Sequence, residues 1–397
     1  MNAEALELED AQARLLALAV PLPIEHVEVA GARGRYLAEP LVALRTQPAA
    51  ALSAMDGYAV RSGSAGPWRV IGESAAGHPF SGALGPGDAV RIATGAVLPA
   101  GSDAVAIQEN CRRAGDVLML TEGAPPSPGT HVRAAGLDFG TGAELLPAGT
   151  HIGPAQIALA LAAGHTHLAV CRPLRIVVIE TGDELAAPGV PTDLHRLPAS
   201  NGAMLAAQFA ALPVHVETIG PVADTLEALA AALARAETAD LVLTSGGASV
   251  GDHDLLQPAL AAWGAQLVFW RVAIRPGKPL LVATRGAQIV IGLPGNPVSS
   301  YVTALLFALP LARALMGAGD PLPHTQTARL AAPLAAGGPR REFIRAVYRD
   351  GKVTAQRQQD SGTLLALASS NSLIERAAFA PATATGADVR VYLLQNG

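Results

Sequence analysis

The sequence predicts a multidomain α/β protein built around a mostly parallel β-sheet with helices on both faces. Two textures carry this expectation. From Pro173 to about residue 322, apolar runs of buried-strand length alternate with helix-like runs, the rhythm of β/α units. From about 43 to 139, and again after Pro323, short β-type runs alternate with Gly/Pro turns, the pattern of all-β units. A chain of 397 residues has room for about two to four domains and ample core.

The elements follow in order. Residues 2–19 read as an amphipathic helix with Leu8, Leu15 and Leu18 on related faces, stopped by Pro21 and Pro23. Trp68–Ile71, Ala89–Ala93, Ala104–Gln108 and Val117–Leu120 read as short strands, and 152–163 as a helix. Leu174–Ile179 and Asp240–Thr244 read as buried strands. Strand 214–219 lies between helices 201–212 and 222–236. Strand-like runs follow at 267–274, 280–283 and 288–292, then a helix at 297–316. The last region holds a hairpin, Phe343–Tyr348 and Val353–Gln356 around Asp350-Gly351, and a closing strand Val389–Leu394.

Composition narrows the function classes. Net charge is −5 and no long basic block occurs, which argues against a general nucleic-acid binder. Two cysteines, Cys111 and Cys171, make no disulfide framework and fit free thiols in a reducing cytosol. The first residues carry Glu4, Glu7, Glu9 and Asp10, the wrong sign for a signal peptide. Val298–Met316 is apolar, but Pro310 and Arg313 interrupt it, so a buried core helix is expected and not a membrane span. The expected location is cytoplasmic.

Four Gly/Pro-rich turns fall at strand ends, where open α/β sheets bind ligands. Ser245-Gly246-Gly247 lets backbone N–H groups approach an oxyanion, or simply makes a tight turn. Asp252 and Asp254 read either as helix caps or as ligands of a magnesium ion, and Asp183 and Glu184 make the same offer after the first strand. In Arg275-Pro276-Gly277-Lys278-Pro279 the prolines remove N–H donors, which leaves the cationic side chains as the anion contacts. Lys278 is one of only two lysines beside 26 arginines, so a compact ammonium is kept there against the compositional trend. Asn296 and Ser299, in the Gly292–Pro297 turn and the helix it enters, read as helix caps or ligand contacts. Arg341 and Arg345 share one face of a strand, which places them to grip one anion together or to form a solvated face.

Taken together, these segments resemble the molybdopterin molybdenumtransferases, the MoeA family, to which the C-terminal part of gephyrin also belongs. The resemblance runs from about residue 8 to 394. It is carried by S-A-M-D-G-Y-A-V at 53–60, R-I-A-T-G-A-V-L-P-A-G-S-D-A-V at 91–105 and T-G-D-E-L at 181–185. S-G-G-A-S-V-G at 245–251, R-P-G-K-P at 275–279, G-L-P-G-N-P-V-S at 292–299, R-E-F-I-R at 341–345 and S-G-T-L at 361–364 complete it.

What the resemblance implies is an elongated homodimer. The expected parts are an N-terminal helical and linker domain (1–42 with 140–172), a small β domain (43–139), a doubly wound α/β domain like that of molybdopterin adenylyltransferases (173–322) and a C-terminal β-barrel-like domain (323–397). It implies insertion of molybdenum from molybdate into adenylated molybdopterin, with Mg²⁺-dependent cleavage of the phosphoanhydride and release of AMP. Carried over residue by residue, it places Asp56, Thr94 and Asp138 on the β-domain side of an intersubunit cleft. Asp183, Glu184, Ser245, Gly246, Gly247 and Asp254 fall around nucleotide, phosphates and magnesium. Lys278, Ser299, Arg341, Arg345 and Ser361 fall at molybdate or pterin phosphate, with Arg275, Pro279 and Asn296 in the same turns. Asp56, Glu184, Asp254 and Lys278 are the expected catalytic residues, the three acids also being the expected metal ligands. The adenylyltransferase and apo-molybdoenzymes, or their chaperones, are the candidate macromolecular partners; no nucleic acid or membrane is expected.

The chain departs from the family pattern at Arg275, Asp252, Leu255, Ala199 and Ala223, which bears on individual contacts. Two other readings remain: a molybdopterin adenylyltransferase on the same α/β core, and a non-catalytic scaffold like gephyrin. The β-domain motifs at 53–60 and 91–105 weigh against the first, and the retained Asp56, Glu184, Asp254 and Lys278 against the second.

Overall fold

The computed structural model describes residues 5–247 and 255–394. Its largest core surrounds a six-stranded sheet in the order Val214–Val222, Leu174–Thr181, Leu241–Ser245, Gln288–Leu293, Leu281–Arg285, Gln266–Trp270. The first four strands pair in parallel and the last two pairings are antiparallel, so five of the six strands run one way and only Leu281–Arg285 is reversed, the mostly parallel sheet that was expected. The reason for the reversal is local. Only Gly286 and Ala287 separate Leu281–Arg285 from Gln288–Leu293, and a connection that short closes only an antiparallel hairpin.

Alternation along these strands sends side chains to two separate cores. Ile176, Val178, Leu241, Leu243, Ile289 and Ile291 pack on one face against the helices Leu8–Leu16 and Asn201–Phe209 and the long helical run Pro297–Leu315. Val177, Ile179, Val242, Leu281 and Val290 pack on the other against Leu226–Arg235 and Leu256–Ala262. The sheet is thus doubly wound. The long apolar run is buried over 83% of its most apolar stretch, as a core helix is. A π-helical segment at Ala304–Ala308 just precedes Pro310, whose missing N–H is tolerated where the helical ladder is already widened.

The other parts are built from strands. Gly57–Val60, Trp68–Ser74, Asp88–Ile92, Ala104–Ile107, Cys111–Ala114 and Val117–Leu120 make a second six-stranded sheet around the buried Trp68 and Leu118. Ile24–Glu28 pairs with His167–Cys171, which joins two stretches far apart in the chain. Helix Leu8–Leu16 lends Leu8, Ala11 and Leu15 to the α/β core. At the C-terminal end, Arg341–Arg349, Lys352–Ala355, Thr325–Leu330, Asp388–Leu393 and Ser372–Arg376 close on one another as a five-stranded barrel. Asp350 and Gly351 both have positive φ, 49° and 77°, as the tight hairpin turn requires. Ile274–Arg275 pairs in parallel with Arg341–Glu342 and so stitches the α/β part to the barrel. Both cysteines are free, Cys171 being buried.

One polar contact pins the entry to the central sheet. Arg172 donates to both oxygens of Asp240, at 2.8 and 2.7 Å, and the Arg175 N–H adds a third bond at 2.9 Å. Burial pushes the Asp240 carboxyl up, but these donors outweigh it and hold it below its usual value. Its stabilising contribution is therefore complete above the ordinary aspartate range and is lost as pH falls through the depressed folded value. Asp240→Ala is expected to lower stability by about 2 kcal/mol near neutral pH, the worth of hydrogen bonds to a charged group. In urea titrations, the gap from the parent chain should close as the solution is acidified below the ordinary aspartate range.

Candidate active site

The strand order of the central sheet reverses between Leu174–Thr181 and Leu241–Ser245, and the crevice beyond the carboxyl ends of such strands is where α/β sheets hold ligands. A cleft of about 580 Å³ opens there. Its floor is Glu180, Thr181 and Gly182 from the first strand and Gly246 and Gly247 from the second; Pro294–Pro297 and Pro279 form its far wall. Gly246 has φ +104°, and a Cβ there would lie 2.5 Å from the Thr181 carbonyl oxygen, so only glycine lets these two strand ends meet.

A buried amide ties the turns together. Asn201 Nδ2 donates to Ser245 Oγ at 2.8 Å and to the Gly295 carbonyl at 2.7 Å. The carboxylate of Glu180, itself buried, accepts from the Asn201 and Gly202 N–H groups at 2.9 and 3.0 Å, and so occupies the N-terminus of helix Asn201–Phe209. Ser245 is therefore a structural hydroxyl beneath the cleft. Two buried polar atoms of lining residues, Asn201 Oδ1 and Thr181 Oγ1, have no partner among the described residues.

Acids gather on one rim. Glu184 and Asp224 line the cleft, and Asp183 Oδ1 accepts the Asp224 N–H at 3.1 Å just behind. Burial pushes the Asp224 carboxyl up; a bond from the Asp183 backbone N–H works against this, and the negative charges of Asp183 and Glu184 add to it. Asp252 and Asp254 lie outside the described residues, as does His253. Among the described residues no group of three His, Cys, Asp or Glu is placed to hold a metal by itself.

Cations gather in a second, adjoining cleft of about 290 Å³, which shares Pro279, Pro294 and Asn296 with the first. Arg275, Lys278, Arg340, Ser299 and Ser361 line it, together with Asp360. Lys278 is exposed and its ammonium has no partner among the described residues. Arg275 leans on Glu342 at 3.3 Å. Asn296 Nδ2 donates to Ser361 Oγ at 2.9 Å, and the Val298 N–H to the Ser361 carbonyl at 3.1 Å, so the Ser361 loop is fastened to the 294–297 turn.

Several expected residues lie elsewhere. Arg341 lines neither cleft: its guanidinium is held by Glu9 and Glu375. Arg345 lines neither as well; it is 1% exposed and bonds to Thr363 and Gln359 behind the Ser361 loop. Arg341 and Arg345 lie four residues apart on one strand, but neither reaches the cleft, whereas Arg340, just before the strand, does. Asp56 and Thr94 form their own exposed pair on the small β-sheet. Asp56 accepts the Thr94 N–H at 2.7 Å and its hydroxyl at 2.9 Å, which lowers its carboxyl from the usual range. Asp138 sits on an exposed loop nearby in sequence to strand Val132–Arg133, also away from both clefts. Sequence reasoning missed Glu180, Asn201, Asp224 and Arg340. Their signal was position, since all four stand at or beside strand and helix ends facing the crevice.

Comparison with known proteins covers nearly the whole chain. Residues 6–164 match the family model described as MoeA N-terminal region (domain I and II), 177–314 that of a probable molybdopterin binding domain, and 327–394 that of MoeA C-terminal region (domain IV). A molybdopterin molybdenumtransferase from Nostoc is 40% identical over 74% of this chain and 70% of its own. Molybdopterin molybdenumtransferase 2 of Mycobacterium tuberculosis is 33% identical over 92% of this chain and 94% of its own. The crystal structure of a molybdopterin biosynthesis moeA protein from Pyrococcus horikoshii superposes with a TM-score of 0.85 at 26% identity, covering 98% of this chain and 100% of its own.

Gly246→Ala is expected to cost about 2 kcal/mol or more, because it adds both a positive-φ penalty and a backbone clash. Urea denaturation checks this; a variant as stable as the parent chain would show that the two strand ends do not approach as described.

Proposed function

The chain belongs to the molybdopterin molybdenumtransferase family, and on that premise we propose that it inserts molybdenum from molybdate into adenylated molybdopterin, releasing AMP and molybdenum cofactor. The single observation that carries this reading is the pair of adjoining clefts, one rimmed by acids and one by cations, sharing the wall of Pro279, Pro294 and Asn296. A substrate with a nucleotide at one end and a metal-binding pterin at the other suits such a double site.

The cationic cleft takes the oxyanion. Lys278 offers a mobile ammonium with no competing partner among the described residues, Arg275 and Arg340 flank it, and Ser361 supplies a hydroxyl. The larger cleft takes the adenylyl group. Its glycine turn lets backbone approach phosphate oxygens. Both cations and acids at one phosphoanhydride make sense only if a divalent ion mediates. Magnesium is commonly held by one or two carboxylates with water and phosphate oxygens completing its shell, and Glu184 and Asp224 fit that share. Burial raises the Asp224 carboxyl and the charges of Asp183 and Glu184 add to that rise; a bound cation would favour its charged form. Bound there, magnesium would neutralise charge on the departing AMP phosphate. Asp254, by the family pattern, joins this set.

Asp56, Thr94 and Asp138 stand apart from both clefts of their own chain. We assign them to the opposite side of the cleft in a homodimer, where the small β domain of the second subunit faces the α/β domain of the first. The four-part division given above and a cytoplasmic location belong to the same reading.

The assay is direct: purified protein with adenylated molybdopterin, molybdate and Mg²⁺, followed by AMP release and reconstitution of an apo-molybdoenzyme. AMP release with reconstitution is expected; adenylated pterin formed from ATP would assign the adenylyltransferase instead. Lys278→Ala should reduce cofactor yield by about 100-fold, the scale of losing one preorganised charge contact, with the fold intact. Asp224→Asn should raise the magnesium needed for half-maximal rate. Protons compete with the cation for a carboxyl whose affinity for them is raised, so the magnesium requirement of the parent chain should grow as pH falls.

A further inference from the structure

We infer that the groove between the helical run Pro297–Leu315 and the C-terminal barrel is a second ligand site, for an elongated small molecule with an amide group towards one end and a carboxylate at the other. A cavity of about 280 Å³ opens there, at the small end of the range for ligand sites. Among the described residues it shares no lining side chain with either cleft above, and the proposed reaction makes no use of it. Tyr301, Leu305, Leu309 and Arg313 line it at intervals of four, one stripe along the helical run. Twelve residues of helix rise about 18 Å, so the lining is long for so small a volume. The π-helical turn Ala304–Ala308 falls within the stripe, and turns of that kind are common at functional sites.

The lining is polar in two different ways. Gln208, from helix Asn201–Phe209, is 6% exposed. Its Nε2 donates to the Tyr301 carbonyl at 3.2 Å, while its Oε1 is buried with no partner among the described residues. From the barrel strand Thr325–Leu330, Gln326 brings a buried Nε2 that is likewise unpartnered. A buried amide atom left unbonded is costly, and here one acceptor and one donor are left so on residues of a single cavity. A secondary amide carries both complements, an N–H for Gln208 and a carbonyl for Gln326. Arg313, twelve residues along the helical run from Tyr301, is the one lysine or arginine of the described lining, which holds no carboxylate. Its guanidinium donates to the Pro321 carbonyl at 3.3 Å and forms no ion pair with a described residue. Asp320, the nearest acid in sequence, is set against His324 at 3.9 Å. A ligand carboxylate is the group that a guanidinium with donors to spare binds best. Leu305 and Leu309, between the two ends, suit a run of methylenes.

The test is an NMR titration of the whole protein with 6-acetamidohexanoate, which has the amide, the methylenes and the carboxylate. N-hexylacetamide lacks the carboxylate and hexanoate lacks the amide. The full probe should bind saturably with a Kd of about 1 mM or tighter, the scale for a ligand of its size. Each truncated probe should bind about tenfold more weakly, one charged or buried hydrogen-bonding group being lost. Arg313→Met should weaken the full probe about tenfold and leave N-hexylacetamide unchanged. Gln326→Leu should weaken both amides and leave hexanoate unchanged. Lys278→Ala should bind the full probe as the parent chain does, which separates this site from anion capture in the cationic cleft and from the reading given to that cleft. No saturable binding of the full probe would leave the groove to water and overturn the inference. Equal affinity for all three probes, affinity unmoved by both folded variants, or binding lost in Lys278→Ala would overturn it as well. Should either variant not fold, the comparison of the three probes on the parent chain still decides.

Discussion

Close approach of three strand ends is the constraint on which the rest of the site depends. Strands Leu174–Thr181, Leu241–Ser245 and Gln288–Leu293 run side by side in parallel, and each ends in a turn that must leave room for a ligand without losing its neighbours. Glycine at 246 allows the contact, and Asn201 holds it, one amide reaching a hydroxyl on the second strand and a carbonyl beyond the third. Glu180 fixes Asn201 in turn by bonding the N–H groups at the start of its helix. The result is a floor whose turns are tied to one another from beneath, which is how a scaffold preorganises a surface.

Charge is then sorted by topology. Acids follow the first strand and the strand beside it, because Asp183, Glu184 and Asp224 come from the turns after Leu174–Thr181 and Val214–Val222. Cations come from the other direction, where Ile274–Arg275 pairs with Arg341–Glu342 and brings Arg275, Lys278 and Arg340 together at the junction with the barrel. The two clusters lie on opposite sides of the wall of Pro279, Pro294 and Asn296 that the clefts share, the charge separation on which the proposed function rests.

Much of the fold was legible because burial writes itself into apolar periodicity. Leu174–Ile179, Asp240–Thr244 and the 297–316 helix were readable as continuous apolar runs, and the Asp350-Gly351 hairpin as turn chemistry. The one reversed strand of the sheet was also written in the chain, in the two-residue gap between Leu281–Arg285 and Gln288–Leu293. The site was legible where a rare residue type stood against composition, as Lys278 did, or where turn residues clustered. It was less legible where function depends on which of several like residues a turn presents. Arg340, Arg341 and Arg345 look equivalent in sequence; only the pairing of Arg341–Glu342 with Ile274–Arg275 decides that the first faces the cleft.

The three arginines in and just before strand Arg341–Arg349 meet three different surroundings. Arg341 spends its charge on Glu9 and Glu375, and so joins the N-terminal helix to the barrel. Arg345 turns inward and has only loop oxygens to bond. Arg340, half-exposed and bonded through a single 3.3 Å contact to the Ile274 carbonyl, keeps most of its donors for a ligand. A guanidinium that is already paired gains little from meeting an anion, since the new contact must replace an old one. The residue with the fewest commitments is therefore the one best placed to bind, and by the same measure Lys278 stands first in the cleft.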